Sequence, residues 1–321
     1  MLPKKILNKL VPLISTIAFS ASVQADDPVT PAIPGVSAGG VVIELIKDGF
    51  NGTEGPVGLV DGSLLFTETN AKRIVRIGPD NTVSTYLENT NGANGLGVNA
   101  KGELIAVQVA NPRVGVIYPQ GQEKNLAENF EGQPFQRPND LVLAGNGSLY
   151  FTDSGTRPTK ENPNPPASKP GLFHIAPDGT LKRIANDIER PNGVQLSPDE
   201  KVLYVTNTLG EHVLAYDIAA DGSVQNRRNF AKLEGWKNTE NVWSSGADGL
   251  AVDAEGRVYV ASNAGIEVFS NKGEALGVIS LPKKPQNLAF AGKDKKTLYV
   301  VGRGAAYKIP LLAAGFAGRA K

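Results

Sequence analysis

From about residue 40 to residue 310 the chain reads as short runs of alternating apolar and polar positions separated by turn residues, the pattern of half-buried β-strands. Six copies of one unit stand out: EGPVGLVDGSLLFTET, NGLGVNAKGELIAVQV, NDLVLAGNGSLYFTDS, NGVQLSPDEKVLYVTNT, DGLAVDAEGRVYVASN and QNLAFAGKDKKTLYVVG. Each opens on a polar residue, alternates briefly, turns at Gly, Asp, Asn or Lys, and returns as an apolar strand. That predicts two antiparallel strands joined by a tight turn. Most copies are followed by a second hairpin, as in RIVRIGPDNTVSTYL and GLFHIAPDGTLKRIA. Four strands per unit make a propeller blade, so the expected fold is all-β, a six-bladed β-propeller of four-stranded blades over residues 40–310.

The sixth copy runs on only to AAYKIPL and lacks an outermost strand, while an unpartnered strand-like segment, VVIELI from Val41 to Ile46, precedes the first. Supplying this N-terminal strand to the last blade would close the ring and protect both sheet edges. The polar residues that open the copies are Glu54, Asn94, Asn139, Asn192, Asp248 and Gln286. Because each innermost strand starts there, the six converge around the axis on one face. Two long connections also enter that face, Thr156 to Pro170 (TRPTKENPNPPASKP) and Glu234 to Gly246 with Trp236 and Trp243. They are expected to form a lid or substrate wall.

Composition narrows the chemistry. Lys and Arg number 33 against 32 Asp and Glu, a net charge of +1, which provides no electrostatic footprint for nucleic acid or an anionic membrane. A small-molecule partner is expected. There is no cysteine, so neither a disulfide nor a thiolate ligand enters the argument. The two histidines, His174 and His212, fall in apparent outer strands. The start of the chain carries Lys4, Lys5 and Lys9, an apolar stretch from Leu10 to Phe19, and Val23-Gln24-Ala25. That is the layout of an export signal cleaved after Ala25, too short to anchor in a bilayer. The expected organisation is a signal peptide at 1–25, a flexible N-terminal segment at 26–39, the propeller at 40–310 and a C-terminal tail at 311–321. The product would be periplasmic or secreted.

Carboxylates and amides converging on one axis are hard oxygen donors, and about four of them completed by water suit Ca2+, which takes 6 to 8 oxygens near 2.4 Å. Two carboxylates offset the charge of the ion, and amides add ligands without repulsion. Asn-Gly and Asp-Gly are also ordinary turn formers, which would account for Asn94, Asn192 or Asp248 singly but not for Glu54 or for an oxygen donor in every copy.

The stretches EGPVGLVDGSLLFTET, RPNDLVLAGNGSLYFTDSG, RPNGVQLSPDEKVLYVTNT and GADGLAVDAEGRVYVAS resemble the signatures of the senescence-marker-protein (regucalcin)/gluconolactonase family, in the same order, over about residues 50 to 310. The resemblance implies a six-bladed propeller with a divalent cation, usually Ca2+ with Zn2+, Mn2+ and Mg2+ as alternatives. Carried over by motif, its ligands would be Glu54, Asn139, Asn192 and Asp248. It also implies opening of a sugar lactone, the cation polarising the carbonyl while Asp248 acts as base toward water. Arg137 matches a substrate-contacting Arg, Asn94 would contact a substrate hydroxyl or support the ligands, and Arg303 would bind an anionic or hydroxylated substrate. The sequence departs from the pattern of bacterial gluconolactonases at Val107-Gln108-Val109 and Ser154-Gly155-Thr156, positions on the substrate face. Two other functions fit the same residues: a phosphotriesterase on the same cation, and a calcium- or ligand-binding propeller without catalysis.

Overall fold

The computed structural model describes residues 27–156, 169–239 and 241–321; the signal segment expected at 1–25 and residues 157–168 of the proline-rich connection lie outside them. Six four-stranded antiparallel sheets form six blades. Their innermost strands are Thr53–Gly58, Ala93–Val98, Pro138–Leu143, Pro191–Leu196, Leu250–Val252 and Asn287–Ala291. Each touches the next, and the sixth touches the first, so the ring is closed.

The alternation in sequence becomes packing between blades. In the second strand of blade one, Leu64 and Phe66 face blade six, and Leu65 between them faces blade two. Period-2 side-chain direction therefore makes one strand serve two interfaces. Six apolar clusters fill the six interfaces. Innermost strands are buried on both sides, while an outermost strand such as Val83–Leu87 is half exposed.

Closure follows the expected route, with Glu44–Lys47 pairing antiparallel to Ala305–Pro310 as the outermost strand of blade six. The expectation of a flexible segment at 26–39 is corrected. Ala32–Ile33 pairs with Ser37–Ala38, and Ile33 and Val36 are buried against blades five and six. Two apolar side chains either side of a Pro-Gly turn provide enough area to hold this short hairpin on the ring.

The tail at 311–321 crosses the face opposite the column. Gly58 N donates to Ala320 O (2.7 Å) in blade one, and Arg319 Nη2 donates to Leu196 O (2.6 Å) in blade four, across the ring. Lys321 then enters the axis and pairs with Asp140; the two side chains are 5% and 0% exposed. Removing one partner of a buried pair strands the other charge, which costs about 3–5 kcal/mol. Lys321→Met should therefore lower unfolding stability by about that amount in urea titrations, and Asp140→Leu added to it should restore much of the loss. Equal stability of the single variant and the wild type would show that the pair does not form.

Candidate functional site

The column residues are aimed by a repeated backbone irregularity. In blades one to four the ladder between the first and second strands slips by one residue at the column, between Glu54 and Val57, Ala93 and Leu96, Pro138 and Leu141, and Pro191 and Val194. A bulge there turns a side chain that would face a neighbouring blade toward the axis. The residue that follows is glycine in four copies because the blades are closest here: a Cβ on Gly55 would lie 1.9 Å from Asn94 O, and one on Gly249 1.9 Å from Asn287 Oδ1. The Asn-Gly and Asp-Gly pairs are thus contacts between blades and not turns.

Hydroxyls on the second strands lock three of the six column residues to the preceding blade. Thr67 Oγ1 donates to Asn94 O (2.9 Å), Thr152 Oγ1 to Asn192 O, and Thr206 Oγ1 to Asp248 O (2.6 Å). Two residues on, Thr69, Ser154 and Thr208 bond the carbonyl just before the column. The signal was present in the sequence as TET, TDS and TNT at the ends of three second strands.

Glu54, Asn139 and Asn192 are 8%, 7% and 6% exposed, and Asp248 is partly exposed at the opening. Asn139 Oδ1, Asn192 Oδ1 and Asp248 Oδ1 are buried acceptors that meet no donor among the described residues. Unpaired buried acceptors are costly, and three on one axis beside a carboxylate match the donor set of a hard cation. Among the described residues no cluster of three or more Asp, Glu, His or Cys side chains forms, because half of this set is amide.

Glu54 is held well above the ordinary carboxylate range, first by burial and then by the charges of Asp248 and Asp140. Burial raises Asp248 from 3.8 to about 6, against the opposing pull of Lys284, Arg190 and Arg303. Asn287, which sequence reasoning missed, donates from Nδ2 to Glu54 Oε2 (3.2 Å), and Gln286 Nε2 lies 3.4 Å from Glu54 Oε1. The signal for Asn287 was a second amide where four other copies carry glycine. Asn94 is used inside the protein, accepting from Thr69 Oγ1 (2.9 Å) and donating to Asn139 O (2.8 Å); it supports Asn139, and substrate contact is the weaker of its two expected roles.

Arg137 and Arg303 are exposed on the column face. Trp236 and Trp243 stack at 5.4 Å beside the short ladder of Lys237–Thr239 with Val242–Ser244, which is tied to blade five by Asn263 Nδ2 donating to Ser244 O (2.9 Å). His174 is buried and stacked on Tyr150 in blade three, away from the column.

The fold and this axial set of oxygen donors define a six-bladed propeller with a polar site at one mouth of its axis. The sequence profile of the SMP-30/gluconolactonase/LRE-like region matches residues 52–303, and the chain belongs to that family. It is 29% identical over 281 residues to the gluconolactonase of Zymomonas mobilis, covering 80% of this chain and 78% of that protein. Human regucalcin is 31% identical over 134 residues, 40% of this chain and 42% of that protein. A solved gluconolactonase of Xanthomonas campestris superposes with TM-score 0.78 at 27% identity, covering 89% of this chain and 96% of that one. A calcium-binding regucalcin of Agrobacterium tumefaciens shares the fold, with TM-score 0.71 at 17% identity over 86% of this chain and 95% of that one.

Two outcomes follow. With cations removed, Asp248 ionises at 3.8 when unfolded and at about 6 when folded. The stability due to its neutral form is full below 3.8 and lost as pH rises through 6. The chelated wild type should therefore lose melting temperature relative to Asp248→Asn between about pH 4 and pH 6 and run parallel to it above; parallel profiles throughout would contradict the raised pKa. Asn287→Ala should weaken binding of any divalent cation held at Glu54 by about tenfold in calorimetry, the usual effect of removing a partner that orients a ligand.

Proposed function

We propose that the protein is an exported hydrolase of sugar lactones that depends on a divalent cation, Ca2+ in the first place, held by Glu54, Asn139, Asn192 and Asp248. Family membership makes it a lactonase, a hydrolase of carboxylic ester bonds. The single observation that supports the cation is the trio of buried acceptors without donors, Asn139 Oδ1, Asn192 Oδ1 and Asp248 Oδ1, beside the buried Glu54. All four donors are oxygens and no Cys or His joins them, which favours Ca2+ over Zn2+. A gluconolactone is the starting choice of substrate, by analogy with the relatives.

Bound there, a divalent cation would supply Lewis-acid polarisation of the ester carbonyl and charge for the developing oxyanion. The chain contributes the rest. Asp248 stands at the opening, the most exposed of the four, where its carboxylate can take the proton of an attacking water while the new C–O bond forms and the ring C–O bond breaks. Gln286 and Asn287 keep the Glu54 carboxylate directed at the axis. Asn94 and the second-strand hydroxyls hold the positions of Asn139, Asn192 and Asp248. Arg137 and the tryptophan hairpin form the wall around the entering ring. Export rests on the first 25 residues as read above.

Proton release on adding glucono-, galactono- and xylonolactone tests the reading. Activity should vanish with chelator and return with Ca2+, and Asp248→Asn should lower kcat by at least about a hundredfold, the usual contribution of a general base. Chelator-resistant turnover, or an unimpaired Asp248→Asn, would overturn it. Glu54→Gln removes one of two charges facing the cation and should weaken binding strongly; unchanged affinity would mean that another set of ligands is in use.

A further inference from the structure

Three copies of the repeat share a feature that the cation site does not use. Arg137, Arg190 and Lys284 each stand two positions before the column and are followed by proline, in RPN, RPN and KPQ. Proline fixes its own φ and keeps the preceding residue extended, so the three basic residues leave the backbone at equivalent places around the mouth. Their anchoring is specific. Arg137 N donates to Asp153 Oδ1 (2.8 Å) and Arg190 N to Asn207 Oδ1 (3.0 Å), while Arg303 N donates to Gln286 Oε1 (2.7 Å). Lys284 is half-buried with Nζ on Asn263 Oδ1, and a Cβ on Gly246 would overlap that ammonium.

Elsewhere basic side chains find carboxylates: Arg76 pairs with Asp61, Arg228 with Asp217, Arg257 with Asp253, and the neighbouring Lys283 with Asp48. Among the described residues Arg137, Lys284 and Arg303 are in no ion pair. They stand at the column end of blades three and six, and the charges of Lys284 and Arg303 act on Asp248. Positive charge beside a cation site weakens it. An anion received among the basic groups removes that penalty and couples its own binding to that of the cation.

We propose that the rim formed by Arg137, Lys284 and Arg303 receives a carboxylate or phosphate carried by the substrate, so that the preferred lactone is an acidic one. The inference rests on the lactone-hydrolase reading and names the substrate class of that site. Guanidinium groups suit either anion, through paired N–H donors.

The test compares kcat/KM for a hexaric acid monolactone and for 6-phosphoglucono-1,5-lactone with that for neutral glucono-1,5-lactone, at low ionic strength. At least one acidic lactone should be preferred by about tenfold or more, as for a hydrogen-bonded charge pair, and added salt should erode the preference. Lys284→Met should cut the ratio of acidic to neutral kcat/KM by about the same factor, and Lys284→Arg should keep most of it. Preference for one acidic lactone alone identifies the anion as carboxylate or phosphate. Turnover of the neutral lactone with no preference overturns the rim while leaving the hydrolase reading intact. If no lactone is opened, that reading fails, and binding of glucuronate and glucose 6-phosphate against glucose by calorimetry decides the rim on its own. An anion preference that Lys284→Met abolishes supports it, and equal affinities overturn it.

Discussion

Three carboxylates, Glu54, Asp140 and Asp248, share the axis of one ring, and their mutual repulsion in a dry interior is the constraint that the rest of the structure answers. Burial alone raises the cost of ionising Glu54 and Asp248, and each feels the charge of Asp140 as well. Inside a protein a charge is tolerated when it is paired and hydrogen-bonded. Asp140 has Lys321, Glu54 has the amides of Gln286 and Asn287, and Asp248 looks out toward Lys284 and Arg303. When Glu54 and Asp248 are both ionised, two negative charges stand beside acceptors without donors, the electrostatic counterpart of a divalent cation.

Such an arrangement needs a frame that does not yield. A blade contributes one or two side chains to the axis, so the geometry of the set depends on the spacing between blades. The second-strand hydroxyls that reach across to the next blade tie that spacing to the column itself. The apolar clusters behind them fill every interface, and the Glu44–Lys47 strand removes the one seam at which the ring could open. Close-packed interfaces adjust poorly to strain, so a site built this way is pre-organised before any ligand arrives.

Much of this was legible in the sequence, for identifiable reasons. The fold repeats, and a feature present six times survives the ambiguity of any single copy; the column from Glu54 to Gln286 and the closing strand were read this way. The hydroxyl locks and Asn287 were also in the repeat, at positions that pattern reading passes over because Thr in a strand and a second amide look unremarkable alone. The bulges left no composition signal, since they are a property of backbone register. The hairpin at Ile33 and Val36 was misread because a segment rich in Pro and Gly looks flexible until its two apolar side chains are seen to have a surface to cover. Lys321 could not have been placed at all: one lysine in a short tail has no period, and only the assembled ring offers it Asp140.

That tail contact bears on why the site has the charge it has. Asp140 is adjacent in sequence to Asn139 and fully buried, so without a partner it would add a third negative charge below Glu54 and Asp248. A third uncompensated carboxylate near Glu54 and Asp248 is a charge that a low-dielectric interior penalises. The Lys321 ammonium cancels that charge from the face opposite the mouth, where it does not compete for the positions of the ligand oxygens. The basic rim lies on the other side of the same carboxylates, at the mouth of the axis. Positive charge below the site thus offsets Asp140, while among the described residues Arg137, Lys284 and Arg303 above it are in no ion pair.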